Sequence, residues 1–254
     1  MGRGGIHRAE IRPAGRGRLM SAAQQKQAAA EAALELVESG MTLGLGSGST
    51  AELFVKALGE RLQAGELSNL QGVPTSKATA DLALDVGVPL VPVDHVQRID
   101  LTVDGADEVD GQFRLIKGGG ACLLREKIIA NASDLMAVVV DETKLVRELG
   151  AFPLPVEVDP FAFTITAKKV FDALRAAGVR SPDVTLRRRA DGVEPLLTDG
   201  GHYILDCACT RIPDPEDAAE RLAAIPGVVE HGLFIGLARL LIVGEDDGAK
   251  VIEV

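Results

Sequence analysis

Four short runs carry most of the chemistry available to this chain. Gly44-Leu45-Gly46-Ser47-Gly48-Ser49-Thr50 joins a short apolar run to a helical one. Glycines let a backbone turn tightly and approach a ligand. A helix opening at such a turn offers free N–H groups and a positive dipole end to phosphate. Ser47, Ser49 and Thr50 add hydroxyls, and Gly48 adds an amide. No Gly-Lys-Ser/Thr closes the run, so it is not a Walker A loop, and the third glycine of a dinucleotide fingerprint is missing. A plain strand–helix turn without a ligand is the other reading. Further on, Asp104-Gly105-Ala106-Asp107-Glu108-Val109-Asp110 sets four carboxylates in seven residues. Such a cluster could hold a divalent cation, do acid–base work with mutually split pKa values, or form a solvated acidic loop. Its spacing is not that of an EF-hand. Lys117-Gly118-Gly119-Gly120 follows. Three successive glycines are entropically costly, and they permit a nest of backbone N–H groups for an oxyanion, with Lys117 as a fixed charge beside it. Glu126 comes nine residues after Lys117 among Cys122, Leu123, Ile129 and Ala130. A carboxylate in that apolar setting should have a raised pKa, as a general base needs. Lys127 has similarly apolar neighbours.

These runs need elements to hold them. Ser21-Ala-Ala-Gln24 is a capping box opening a helix to about Ser39, stopped by Gly40. Strands are expected at Met41–Gly46, Leu70–Pro74, Val88–Val93, Ile99–Val103 and Leu135–Val140. Helices are expected at Ala51–Leu62, Ser76–Val86 and Ala121–Ala132, with a loop over Asp104–Asp110. Alternating apolar strands and helices imply a parallel sheet covered on both faces. The acidic run then leaves the carboxyl end of a strand, where ligands of open α/β sheets sit. Lys144 follows the strand ending near Val140 and can reach the same rim. Phe152–Pro160 is proline-rich and reads as a linker or crossover. Beyond it come helices near Thr166–Ala177 and Pro215–Ala223. Strands are expected near Val184–Arg188 and Tyr203–Cys207, and again at Leu233-Phe234 and Leu240–Val243. The fold class is therefore α/β: a parallel-sheet domain with a second, smaller α+β domain after about Gly150.

Composition narrows the function. The chain has 254 residues, 46% hydrophobic and 25% charged, and a net charge of −10. An acidic chain repels nucleic acid, and 3% aromatic content leaves little for base stacking. No apolar run is long enough to cross a membrane as a helix. Three cysteines make no disulfide framework, which fits a reducing cytoplasm. Cys207-Ala208-Cys209 lacks a partner pair at zinc spacing and reads as strand core, and Cys122 reads as a small buried thiol. His95, His202 and His231 belong to no triad pattern. Residues 1–19 hold five arginines against one glutamate and no apolar stripe. They read as a disordered N-terminal extension, with Met20 as the natural start.

Taken together, Gly46-Ser47-Gly48-Ser49-Thr50, Asp104-Gly-Ala-Asp107-Glu108, Lys117-Gly-Gly-Gly-Ala and Arg125-Glu126-Lys127-Ile128-Ile129 resemble the A-type ribose-5-phosphate isomerase family. Phe152-Pro-Leu-Pro-Val-Glu157 and Ile225-Pro-Gly-Val-Val229 extend the resemblance, which runs from about Met20 to the C-terminus. It implies a Rossmann-like parallel-sheet domain over 20–150 and 230–254 with a second, smaller α+β domain over 151–229, and a cofactor-free aldose–ketose isomerase of the pentose phosphate pathway that acts through an enediolate. Glu126 matches the family's base, while Asp104 and Lys117 match residues that assist ring opening and hold the oxyanion. Asp107 and the amides of Gly118, Gly119 and Gly120 match the lining of the same site. Ser47, Gly48, Ser49 and Thr50 match a phosphate or hydroxyl loop. Lys144 matches a further basic contact, and Lys26 an N-terminal lysine near the phosphate. Thr75 and Ser76 enter as further ligand contacts. The resemblance also implies a homodimer or homotetramer with a small sugar phosphate as its partner, and no nucleic acid or membrane. The rivals are a sugar-phosphate sensor on a related fold, which needs no Glu126 and Lys117, a nucleotide-binding dehydrogenase, and a structural protein that leaves the triple glycine unexplained.

Overall fold

The computed structural model describes residues 20–253, so the N-terminal extension lies outside the described residues. The chain runs α1 (Ala22–Leu34), β1 (Thr42–Leu45), α2 (Ser49–Gln63), β2 (Gln71–Pro74), α3 (Lys77–Asp85) and β3 (Ile99–Asp104). Two short strands, β4 (Glu108–Val109) and β5 (Leu115–Ile116), precede α4 (Leu123–Asn131) and β6 (Ser133–Asp141). Then come β7 (Leu154–Val158), α5 (Phe163–Ala176), β8 (Asp183–Leu186), β9 (Tyr203–Ala208) and α6 (Pro215–Ala223). The chain ends with β10 (Val228–His231), β11 (Leu233–Phe234), β12 (Leu240–Glu245) and β13 (Gly248–Glu253). The capping box of α1 forms at Ser21 and Gln24, although the helix ends at Leu34, short of Ser39.

The main sheet has the order β13-β12-β6-β3-β1-β2. Its five strands from β12 to β2 are mutually parallel, and β13 is an antiparallel edge. Period-two alternation splits the apolar residues between its faces. Ala137 and Val139 of β6 join Leu101, Val103 and Phe54 in the core under α1 and α2. Met136, Val138 and Val140 face the opposite core with Leu123, Ala130 and Phe234. β1 continues to β2 on one side, whereas β3 returns on its other side. The carboxyl ends of β1 and β3 therefore flank a topological switch point, where α/β sheets open a crevice.

A second, antiparallel sheet has the order β10-β7-β9-β8 and packs on α5 and α6 through Leu154, Val156, Val170, Leu174 and Leu222. The small sheet β11-β5-β4 lies beside the crevice. Two expectations change. Val88–Val93 makes one parallel bridge, Gly72 to Leu90, and then a 3-10 turn at Val93–His95, because Pro89 and Pro92 have no N–H for a ladder. The proline-rich stretch after Gly150 is no linker: β7 is a fully buried inner strand. Its Pro155 carbonyl accepts the Gly232 N–H at 2.8 Å, one rung beyond the Val156–His231 pair that ends the β7–β10 ladder. The N–H that proline lacks faces that same edge, past the end of β10, so no ladder bond is lost. The loop expected over Asp104–Asp110 also holds the short strand β4.

Candidate active site

Glu126 lies on the buried face of α4 with Leu123, Ile129 and Ala130. That is the i, i±3, i+4 stripe that packs a helix on a sheet. Asp104 is the last residue of β3. Two residues from Thr102, it points to the same side of the sheet, and Thr102 meets Ser133 just beyond α4. Lys117 follows β5, and its backbone N–H bonds the Gly232 carbonyl at 2.9 Å. Three elements thus converge three charges. The Lys117 Nζ lies 3.1 Å from Asp104 Oδ2 and 3.4 Å from Glu126 Oε1, and it donates to the Gly105 carbonyl at 2.6 Å. All three side chains are buried. Asp104 Oδ1 accepts the backbone N–H groups of Ser47 (3.1 Å) and Gly105 (2.7 Å). Glu126 Oε2 is buried with no hydrogen-bond partner among the described residues.

The electrostatics follow from burial. Loss of water pushes the Glu126 carboxyl up to about 8; the Lys117 ammonium opposes this, and the Asp104 charge reinforces it. Burial raises Asp104 as well, against the pull of Lys117 and the two N–H donors. Burial works against the Lys117 charge, but Asp104 and Glu126 outweigh it, so the ammonium is held more firmly than usual. The four carboxylates of the acidic run do not converge on one point. Asp107 accepts the Gly119 N–H at 2.8 Å, Glu108 accepts the N–H groups of Gly150 and Phe152, and Asp110 pairs with Arg114.

Above this charged floor opens a cleft with about 550 Å³ of space. Lys26, Ser47, Gly48, Ser49, Thr50, Asp107, Lys117, Gly118, Gly119, Gly120, Glu126 and Lys144 all line it, as do Gly105 and Ala106. At one end α2 begins, with Gly48 as an N-cap that makes no side-chain bond, so its first N–H groups face the cleft's rim. Lys26 reaches this end from α1 and donates to Ser49 Oγ at 2.9 Å, with Asp141 3.9 Å away. Lys144 comes from the 3-10 turn after β6. A helix N-terminus and two lysines can hold an anion, and the buried carboxylate and ammonium beside them can move a proton.

Asp104 does not line the cleft: it is fully buried below it, holding Lys117, Ser47 and Gly105. Thr75 and Ser76 do not line the cleft either. They are buried behind the loop, where the Ser47 hydroxyl meets Thr75 Oγ1 at 2.8 Å, Ser76 Oγ at 2.9 Å and Thr79 Oγ1 at 3.1 Å. Thr79 is a positioning residue with no motif to mark it, since its role depends on α3 packing beside β1. Lys127 turns away from the cleft, to Glu230 (2.7 Å) and the His231 carbonyl (2.6 Å). Cys207 and Cys209 are buried in the core of the second sheet, as strand packing requires.

Comparison with known proteins shows the family of this fold. The family model for ribose 5-phosphate isomerase A (phosphoriboisomerase A) matches residues 71–248. A ribose-5-phosphate isomerase A of Maricaulis maris is 66% identical over 92% of this chain and all of its own length. That of Parvibaculum lavamentivorans is 54% identical over the same shares. Among solved structures, a D-ribose-5-phosphate isomerase in complex with phospho-erythronic acid superposes with a TM-score of 0.86, at 41% identity, covering 92% of this chain and 100% of its own. The ribose 5-phosphate isomerase A of Methanocaldococcus jannaschii gives 0.84 at 38% identity, with the same coverage. With most of its length matched at these identities, and with the motifs of the cleft inside the matched stretch, the chain belongs to the ribose 5-phosphate isomerase A family.

Proposed function

We propose that this cleft is where the chain interconverts D-ribose 5-phosphate and D-ribulose 5-phosphate through an enediolate, with Glu126 as the base. The observation that carries the assignment of roles is the unpartnered Glu126 Oε2, buried beside the Lys117 ammonium at the floor of a phosphate-ready cleft. The phosphate binds at the α2 N-terminus with Lys26 and Lys144, and the hydroxyls of Ser49 and Thr50 bond it or the sugar; Ser47, whose hydroxyl turns back to Thr75, Ser76 and Thr79, lines the cleft with its backbone. The open-chain aldose then lies with C1 and C2 over Glu126. Glu126 takes the C2 proton and returns it to C1, while the aldehyde oxygen gains a proton and the C2 hydroxyl loses one. Lys117 and the amide of Gly120 face the oxygen that becomes negative, while the Gly119 N–H is held by Asp107 at the cleft wall. Asp104 acts as a positioning residue: it holds Lys117 against the cleft, and through Ser47 and Gly105 it ties the phosphate loop to the floor. Asp107 orients the glycine turn and lines the sugar subsite.

Phospho-erythronic acid, held by a relative, fits this reading. Its planar, charged carboxylate resembles the oxygens of an enediolate. The experiment is direct: the chain, ribose 5-phosphate and no added cofactor or metal, with ketose formation followed by absorbance. Glu126→Gln should lose about 10²–10⁴-fold in kcat while still binding the sugar phosphate. Near-normal turnover in that variant removes Glu126 from the base role.

The setting of the enzyme belongs to the same proposal. Its three cysteines are free, consistent with work in a reducing cytoplasm as a step of the pentose phosphate pathway. Its active form is a homodimer or homotetramer, and light scattering at micromolar concentration tests this, a monomer overturning it. Residues 20–150 with 230–254 form the Rossmann-like unit and 151–229 the smaller one, whose strand β10 runs two residues past that limit.

A further inference from the structure

We infer that Arg187 is a positioning residue for the isomerisation, setting from the second sheet the direction in which the glycine turn presents its amides. Arg187 is the first of three successive arginines and directly follows β8. Thr185 pairs with Asp206 across the β8–β9 ladder, so the Arg187 side chain rises on the same face as Asp206. Its Nε donates to Asp206 Oδ2 at 2.8 Å, and Nη2 reaches the other oxygen. This fork fixes the guanidinium plane. The remaining nitrogen, Nη1, donates to the Gly118 carbonyl at 2.9 Å and the Gly119 carbonyl at 3.0 Å. The Arg187 side chain is 14% exposed.

The consequence follows from the planar trans peptide. In one peptide unit the carbonyl and the next N–H point in opposite directions. A guanidinium that draws the Gly118 carbonyl to its side turns the Gly119 N–H to the other. That N–H meets Asp107 at 2.8 Å on the cleft side. The Gly119 carbonyl, drawn to the same guanidinium, likewise turns the Gly120 N–H away from Arg187. Glycines resist such flips poorly, so the turn needs an external clamp to keep one orientation. Arg188 bonds the Val193 carbonyl instead, so the clamp belongs to Arg187 alone among the three.

This inference rests on the cleft being the isomerase site, and wild-type turnover with Glu126→Gln tests that separately. The variants are Arg187→Met, which keeps the stem, and Arg187→Lys, which keeps the charge but cannot hold Asp206 and two carbonyls together. Each is assayed on ribose 5-phosphate and titrated with phospho-erythronic acid by calorimetry. A displaced amide should lower kcat about 10–100-fold in both variants. The analogue Kd should rise by a similar factor, with KM within about threefold and one analogue bound per chain. A purely structural role would instead lower the bound stoichiometry and leave Kd unchanged in the sites that remain, which overturns the inference. Should Arg187→Met fail to fold, Arg187→Lys decides: wild-type kcat and analogue affinity there overturn the clamp.

Discussion

Glu126 has two oxygens in two different situations, and the difference is what a base needs. Oε1 faces the Lys117 ammonium, while Oε2 is buried and unpartnered. With the carboxyl pushed up to about 8 by burial, the ionised, proton-accepting form grows as pH rises through that value. The pH profile of kcat/KM should therefore fall on its acid side with a midpoint near 8, well above an ordinary carboxylate; a midpoint near 4.5 would contradict it. Lys117→Met should lower kcat about 10²–10³-fold with a smaller change in KM, as expected for a group that meets charge developing in the transition state. An effect confined to KM would reassign Lys117 to ground-state binding. The Lys117 ammonium already occupies the position between Asp104 and Glu126, so EDTA should leave turnover unchanged. Metal-restorable loss of activity would revive the cation reading of the acidic run. At this scale much was legible in the sequence. Apolar residues three and four positions away from Glu126 mark it as buried, and the triple glycine beside Lys117 marks a backbone site. Thr79 and Arg187 were not legible, because each acts across elements distant in the chain.

The elements were legible wherever a run was long and apolar, and obscure wherever proline or brevity intervened. β6 is continuously apolar over Leu135–Val140, β3 alternates Ile99, Leu101 and Val103 with polar residues, and their ends deliver Lys144 and Asp104. β7 was hidden because Pro153 and Pro155 resemble a linker. Only the end of the β7–β10 ladder shows why proline is tolerated there. β4, β5 and β10 are too short to carry a period. β13 had a signal, since Asp246-Asp247 is a two-residue hairpin turn between Glu245 and its partner Gly248. The glycine motifs, in contrast, mark close approaches that two positions make testable. A methyl on Gly46 would fall onto the Asp104 side chain, so Gly46→Ala should separate the phosphate loop from the charged floor and abolish turnover. In the glycine turn, Gly118 has φ +106 and a Cβ there would lie 2.7 Å from Leu123 Cδ2, whereas Gly120 has open space. Gly118→Ala should destabilise by about 1–3 kcal/mol in urea unfolding, and Gly120→Ala by less than about 0.5 kcal/mol. Equal losses at the two positions would mean that the turn is not held as described.

For the whole molecule, burying Glu126 for catalysis sets a cost on the folded state. The unfolded chain leaves Glu126 at its ordinary value of 4.5, and folding raises it to about 8. The folded form thus binds the proton more tightly. Its contribution to stability is complete below about pH 4.5 and is lost progressively as pH rises to about 8, beyond which the ionised carboxylate strains the fold. Glutamine has the same shape and no charge to desolvate, so Glu126→Gln should relieve this strain while it removes the base. The expected result is a Tm close to wild type near pH 4.5 and higher by roughly 10 °C or more near pH 9, from about 1.4 kcal/mol for each pH unit by which folding raises the carboxyl and about 2–4 °C per kcal/mol for a chain of this size. Asp104 remains 3.1 Å from Lys117 and keeps the ammonium paired in the variant. A Tm difference that is flat across pH, or a loss of stability at pH 9, would show that Lys117 already offsets the burial of Glu126 in full. A gain that grows with pH, in a protein that has lost turnover, would show that the fold gives up stability to keep this carboxylate buried and reactive.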